Sequence, residues 1–159
     1  MAATAETLTR TWHRLRRLPG GRWIFGHILG LMVPYSGSIR PRVRELEPGR
    51  AVVSIRDHRR LRNHLRSLHA IALANLGELA SGLAMTLALP SDARGIPVRL
   101  EVDYHRKARG TITATGRAAP PSAVPDETEA VATATLTDGS GEDVAQVRVV
   151  WRLGPKEES

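Results

Sequence analysis

The sequence predicts an α+β domain in which an antiparallel sheet wraps one long central helix, with further helices at the N-terminus. Three observations carry this expectation. The run Leu65 to Leu89 is rich in Ala and Leu, contains no proline until Pro90, and has few polar residues, as does a helix buried on most of its circumference. Two strand-like runs precede it and four follow. A single apolar helix among so many strands has one efficient way to be covered, which is by the face of the sheet.

The chain has 159 residues, of which 42% are hydrophobic, enough for one domain with a real core. It contains no cysteine, which excludes a disulfide framework, thiolate-bound zinc and a cysteine nucleophile.

Taken in order, Leu8, Trp12, Leu15 and Leu18 fall at i, i+4, i+7 and i+10 and predict a helix over 5–18. Pro19-Gly20-Gly21 ends it, and a second helix is expected from Arg22 to Met32, closed by Pro34. Ser36-Gly37 reads as a turn. Ile39 to Leu46 alternates apolar residues with Arg40, Arg42 and Arg44, and Ala51 to Ile55 follows the turn Glu47-Pro48-Gly49, so the two form a hairpin. The central helix comes next. Beyond it, strands are expected at Val98–Tyr104, Thr111–Ala118, Glu129–Thr137 and Asp143–Leu153, as a meander. Val98, Leu100, Val102 and Tyr104 should share one face, and Asp138-Gly139-Ser140-Gly141 is a hairpin turn. The expected organisation is an N-terminal helical segment over 1–35, the main domain over 36–154 and a frayed tail over 155–159.

The net charge is +7. Such a balance suits an anionic partner, whether nucleic acid, an anionic membrane or a phosphate-bearing small molecule; it is equally what an Arg- and Ala-rich composition produces unaided. No nucleic-acid-binding motif is present, so no nucleic-acid partner is expected. The stretch Trp23 to Pro34 is too short to span a bilayer, and no cleavage pattern follows it. The expectation is a soluble, cytoplasmic protein.

The informative polar residues lie around the start of the central helix, in Asn63-His64-Leu65-Arg66-Ser67-Leu68-His69-Ala70 and on to Glu78. Asn63 precedes His69 by six residues, His69 is followed by the small Ala70, and Glu78 lies nine after His69. This spacing, with the element order over about 36–153, resembles the hotdog-fold thioesterase superfamily, and within it the acyl-CoA thioesterases of the phenylacetate-degradation type. The resemblance implies a hotdog fold, hydrolysis of acyl-CoA-type thioesters, no cofactor beyond the coenzyme A of the substrate, no metal, and a homodimer or a pair of dimers. Two departures stand out: Ala70 occupies a position where many relatives have Gly, and a further polar residue of some relatives falls near Pro97, which has no hydroxyl.

Hydrolysis needs a donor site for the developing oxyanion and a carboxylate to activate water or attack. The N-terminus of a buried helix offers free N–H groups. The N–H of His69 or Ala70, with the Asn63 side chain, is expected to hold the thioester carbonyl, and Glu78 to act as base or nucleophile. His69 and Glu78 are roughly 13 Å apart along one helix and about half a turn out of phase. One helix cannot bring both to one carbonyl, so Glu78 is expected from a second subunit.

The simpler roles are capping for Asn63, packing for His64 and His69, and dimer contacts for Asn75 and Ser81. Glu78 sits among Ala74, Leu76, Gly77, Leu79 and Ala80, where an unpaired charge is costly. The turn His105-Arg106-Lys107-Ala108-Arg109 is a candidate for the phosphates of coenzyme A, through Arg106, Lys107 and Arg109, with Arg59, Arg60 and Arg62 as a second cluster. The N-terminal Arg10, Arg14, Arg16 and Arg17, with Trp12, Trp23, Ile24 and Phe25, suit an anionic membrane surface or packing over the sheet beside an acyl pocket; the second is expected. The alternatives to hydrolysis are a non-catalytic acyl-CoA-binding or regulatory domain and a hotdog dehydratase, which pairs a His with an acidic residue.

Overall fold

A computed structural model describes residues 5–156. Helices α1 (Ala5–Leu15), α2 (Gly21–Met32) and the short α3 (Pro34–Gly37) lead into the hairpin β1 (Arg42–Glu47) and β2 (Arg50–Arg56). A single 3-10 turn at Arg59–Leu61 precedes the central helix α4 (Ala70–Ala88), which is followed by β3 (Ala93–Tyr104), β4 (Thr111–Ala118), β5 (Thr128–Thr137) and β6 (Asp143–Pro155). One six-stranded antiparallel sheet forms in the order β1-β2-β4-β5-β6-β3.

The sheet curls around α4, whose residues Leu73, Leu76, Leu83 and Met85 are buried. From the sheet come Val53, Ile55, Ile112, Leu136, Val147 and Val149, also buried. The approach is closest at Gly116 of β4, where a Cβ would stand 2.2 Å from the Ala80 carbonyl oxygen; only glycine fits between strand and helix there. α4 is long and apolar enough to cross a bilayer, but 72% of its apolar window is buried inside the domain, which makes it the core.

Several expectations change. The helix begins at Ala70, not Leu65, because the preceding residues are held in a loop by Asn63. The four strands after it are not a simple meander: β3 pairs with β6, from Ala93↔Pro155 to Tyr104↔Ala145, and forms an edge. β3 also starts earlier than expected and carries a bulge between Pro97 and Arg99, where an edge strand tolerates a proline. Val98, Leu100 and Tyr104 are exposed on it. Ser36-Gly37 belongs to α3 rather than to a turn. At the C-terminus, Pro155 pairs with Ala93 and the Lys156 N–H donates to the Asp92 carbonyl at 2.7 Å; residues 157–159 of the expected tail lie outside the described residues.

Candidate active site

The start of α4 is built by side chains bonding to their own loop. The Asn63 Oδ1 accepts the Leu65 N–H (2.9 Å), the Ser67 N–H (3.3 Å) and the Ser67 hydroxyl (3.2 Å). Backbone bonds between Asn63 and Ser67 (2.8 Å) and from the Arg66 N–H to the Asn63 carbonyl (3.2 Å) close the turn. Arg66 takes a left-handed conformation (φ 56°), a rare choice for a side chain with a Cβ. A helix through Leu65 would forfeit these bonds.

His69 is the N-cap of α4. Its Nδ1 accepts the Ile71 N–H at 3.1 Å, satisfying one of the orphan donors of the first turn. Its own N–H donates to the Leu61 carbonyl at 2.7 Å. Of the two backbone donors expected for a carbonyl, His69 is therefore engaged, and the Ala70 N–H is left without a hydrogen bond among the described residues. The Ala70 carbonyl accepts the Tyr104 hydroxyl at 3.0 Å, and the hydroxyl's pKa is raised by desolvation.

Asn63 and Ala70 line one cavity of about 310 Å³, together with Tyr104, Arg106 and Lys107. The basic turn is anchored beside it: the Leu68 N–H donates to the Ala108 carbonyl at 2.9 Å, and the His105 N–H to the Val144 carbonyl at 3.0 Å. Arg106 also pairs with Glu142 at 2.8 Å. Arg109 is exposed and does not line the cavity. In the second cluster Arg62 binds Asp57 at 2.7 Å, and that hydrogen bond holds the Asp57 carboxyl below its usual range.

Glu78 lies elsewhere, eight residues and about 12 Å farther along α4. It faces a second cavity of about 340 Å³, lined by Leu8 of α1, Leu29 and Met32 of α2, and Trp151 of β6, among others. The Glu78 carboxylate has no hydrogen bond or ion pair among the described residues, and desolvation raises its pKa. Apart from Glu78 the lining carries no charged group. The chain thus brings Asn63, Ala70 and the basic turn together, and holds Glu78 apart from them.

Asn75 donates to the Tyr35 carbonyl at 3.3 Å, and the Ser81 hydroxyl donates to the Gly77 carbonyl at 2.8 Å; both bonds are made within the chain. His64 is exposed. The N-terminal segment divides. Trp12 and Phe25 pack edge to face at 5.2 Å in the interior, Leu8 and Leu29 line the Glu78 cavity, and Trp23 and Ile24 point outward. Pro97 pairs with Trp151, next to the Glu78 cavity. Among the described residues no group of three His, Asp or Glu side chains is placed to hold a metal.

Two site residues were not singled out from sequence. Tyr104 reads as one more apolar-face residue of its strand. Trp151 continues the alternation Val147, Val149, Trp151, Leu153, the inward face of β6, so its position facing α4 was available from the period of two. Its indole N–H is buried without a partner among the described residues.

A family model described as Domain of unknown function (DUF4442) matches residues 21–153. No curated protein matches the sequence. Among solved structures, the structural-genomics protein APC5556 is similar over 94% of this chain and 98% of its own, at 26% identity and a TM-score of 0.80. A Pseudomonas aeruginosa protein described as of unknown function, probable thioesterase, is 22% identical with a TM-score of 0.72, covering 87% of this chain and 97% of its own. A thioesterase family protein from Silicibacter pomeroyi is 21% identical with a TM-score of 0.68, covering 82% and 96%. The shared architecture is the hotdog fold.

Proposed function

This chain belongs to the DUF4442 family and has the hotdog fold, and we propose that it hydrolyses acyl thioesters, of the acyl-CoA class, at a site completed by a second copy of itself. The observation that carries this reading is Glu78: a carboxylate in the middle of the core helix, desolvated and unpaired, facing an apolar cavity. A structural role offers no return for that cost, whereas a base with an elevated pKa is suited to accept a proton near neutral pH. The names of the solved structures described as thioesterases support the same reaction class. The closer likeness to phenylacetate-type enzymes rests on the spacing of Asn63, His69, Ala70 and Glu78 alone.

In this reading the carbonyl oxygen of the thioester accepts the Ala70 N–H at the positive end of α4. The Asn63 Nδ2 is the second donor, its Oδ1 being occupied within the loop. Glu78 of the second copy takes a proton from water as the water oxygen attacks the carbonyl carbon. The tetrahedral intermediate collapses with cleavage of the C–S bond, and the thiolate leaves and takes up the proton. A carboxylic acid and a free thiol result. Arg106 and Lys107 meet the phosphates of the carrier, and the apolar cavity beside Glu78 takes the acyl chain. No cofactor is required.

A second reading, a binder that does not hydrolyse, is favoured by one observation: the His69 N–H is spent on Leu61, which leaves fewer donors for an oxyanion. An acyl-CoA panel with thiol detection separates the two. Thiol release with at least one acyl-CoA, lost in Glu78→Gln, is expected; saturable acyl-CoA binding with no thiol release overturns hydrolysis.

A further inference from the structure

Charge in this chain is strongly segregated. Residues 7–44 hold eight arginines and no acidic side chain, whereas the remaining residues hold 15 basic and 16 acidic side chains. The whole net charge of +7 therefore resides in α1, α2, α3 and the approach to β1. Arg14, Arg16, Arg17, Arg22, Arg40 and Arg42 form no ion pair among the described residues.

The same segment exposes apolar surface. α2 buries Phe25 and Leu29 against the domain and turns Trp23, Ile24 and Leu31 outward; Trp23 is 56% and Leu31 81% exposed. Leu18 and Tyr35 extend the patch at either end. Trp23 and Leu31 also border a shallow cavity of about 540 Å³ whose rim carries Arg40 and Arg42 and no carboxylate. Guanidinium groups around an outward apolar helix face with a tryptophan on it are what a bilayer interface of negative charge selects: apolar side chains enter the acyl boundary, and the arginines meet phosphate.

We propose that the outer face of α2, with its arginine rim, docks the protein onto anionic phospholipid bilayers. The helix lies in the plane of the surface, with Trp23, Ile24 and Leu31 in the boundary region and Arg14, Arg16, Arg17 and Arg22 among the headgroups. Nucleic acid matches the charge but has no use for exposed Leu31. A second copy of the chain presents the same positive charge and is repelled.

The test uses the full chain and vesicles of phosphatidylglycerol mixed with phosphatidylcholine, compared with phosphatidylcholine alone. Co-sedimentation at low salt is expected to favour the anionic vesicles by about tenfold or more and to fall as salt is raised. Trp12 and Trp151 are buried, so a blue shift of tryptophan emission on binding comes from Trp23 and disappears in Trp23→Phe. Trp23→Ser/Leu31→Ser, which removes only exposed side chains, is expected to keep the circular dichroism of the parent and to lose vesicle binding about tenfold. The proposal is overturned if the parent does not sediment with anionic vesicles at low salt. It is also overturned if the Ser variant binds them as well as the parent does, since charge alone then accounts for binding. A Ser variant that changes the oligomeric state and keeps its vesicle affinity assigns the patch to self-association instead.

Discussion

Glu78 and Trp151 face one another across the missing side chain of Gly82. A Cβ at that position would stand 3.6 Å from the Glu78 Oε1 and 3.5 Å from the Trp151 Cζ2, ordinary contact distance to both. The gap thus lies between two groups that have no hydrogen-bond partner among the described residues, the carboxylate and the buried indole N–H.

Gly82→Ala should therefore separate stability from activity. Alanine in a helix is favoured over glycine by roughly 0.5–1 kcal/mol, and the new methyl meets no overlap. The melting temperature should rise by about 2–4 °C per kcal/mol gained, while thioester turnover falls because the space beside Glu78 is filled. A lower melting temperature would show that the site is tighter than the structure indicates.

Glu78→Gln should cut turnover by about 10² or more and leave the fold intact. The pH dependence has a definite sign. The pKa of Glu78 is raised in the folded state by desolvation, so its favourable contribution to stability is fully present below the ordinary value of 4.5 and is lost as pH rises through the elevated folded value. The Gln variant should gain on the parent as pH increases from 4 to 8, measured by denaturant unfolding at each pH. In the parent, the acid limb of kcat/KM should lie above that of an ordinary carboxylate. A stability difference that does not vary with pH would mean that Glu78 is not desolvated.

Beside its bonds within the loop, Asn63 has the proposed role of donating to the substrate carbonyl. Asn63→Ala removes an acceptor shared by three donors and should destabilise by about 1–2 kcal/mol. Asn63→Asp keeps the acceptor, replaces the Nδ2 donor with a second carboxylate oxygen and adds a negative charge where the oxyanion would form, so it should fold and turn over slowly. An Asp variant with full activity would confine Asn63 to loop structure.

The proposed sharing of the site between two subunits has its own test. Inactive Asn63→Asp and inactive Glu78→Gln, mixed under conditions of subunit exchange, form mixed dimers with one doubly damaged and one intact site. Random pairing makes about half the dimers mixed, so recovery should approach about a quarter of the parent activity. No recovery after verified exchange would place both residues in one chain's site.

Lys107→Glu should raise KM for coenzyme A esters and leave short thioesters without the carrier unchanged, because Lys107 lines the Asn63 cavity. Arg109→Glu, outside that lining, should do neither. Equal KM changes in both variants would point to general charge rather than to a phosphate seat.

Much of this was legible in the sequence, for physical reasons that differ by element. α4 announces itself because a helix buried all round must be apolar all round, and the strands because one face of each meets that helix. The register of α4's first turn was not legible: Asn63 competes with helix geometry through side-chain bonds to Leu65 and Ser67, and propensity carries no record of that. The partner of β3 was also hidden, since pairing with β6 is a long-range choice and neighbouring strands are the default guess. In the site, Asn63, Ala70 and Glu78 were visible as types at a spacing, but the engagement of the His69 N–H by Leu61 depends on a loop conformation that no spacing encodes.

The place of β3 at the far edge of the sheet bears on how the molecule reaches its native state. Its partners run from Ala145 to Pro155, so the whole of β4 and β5 lies within the loop that this pairing closes. Such closures carry a large entropic cost before any contact rewards them, and topologies rich in them fold slowly. The Asn63 cavity takes one wall from Tyr104 and the turn that follows it, at the end of this same strand. Until β6 has formed, β3 has no strand partner and that wall is unfixed. Closure of the β3–β6 pairing therefore completes the pocket, and ligand protection of the chain during refolding should appear in the slowest kinetic phase.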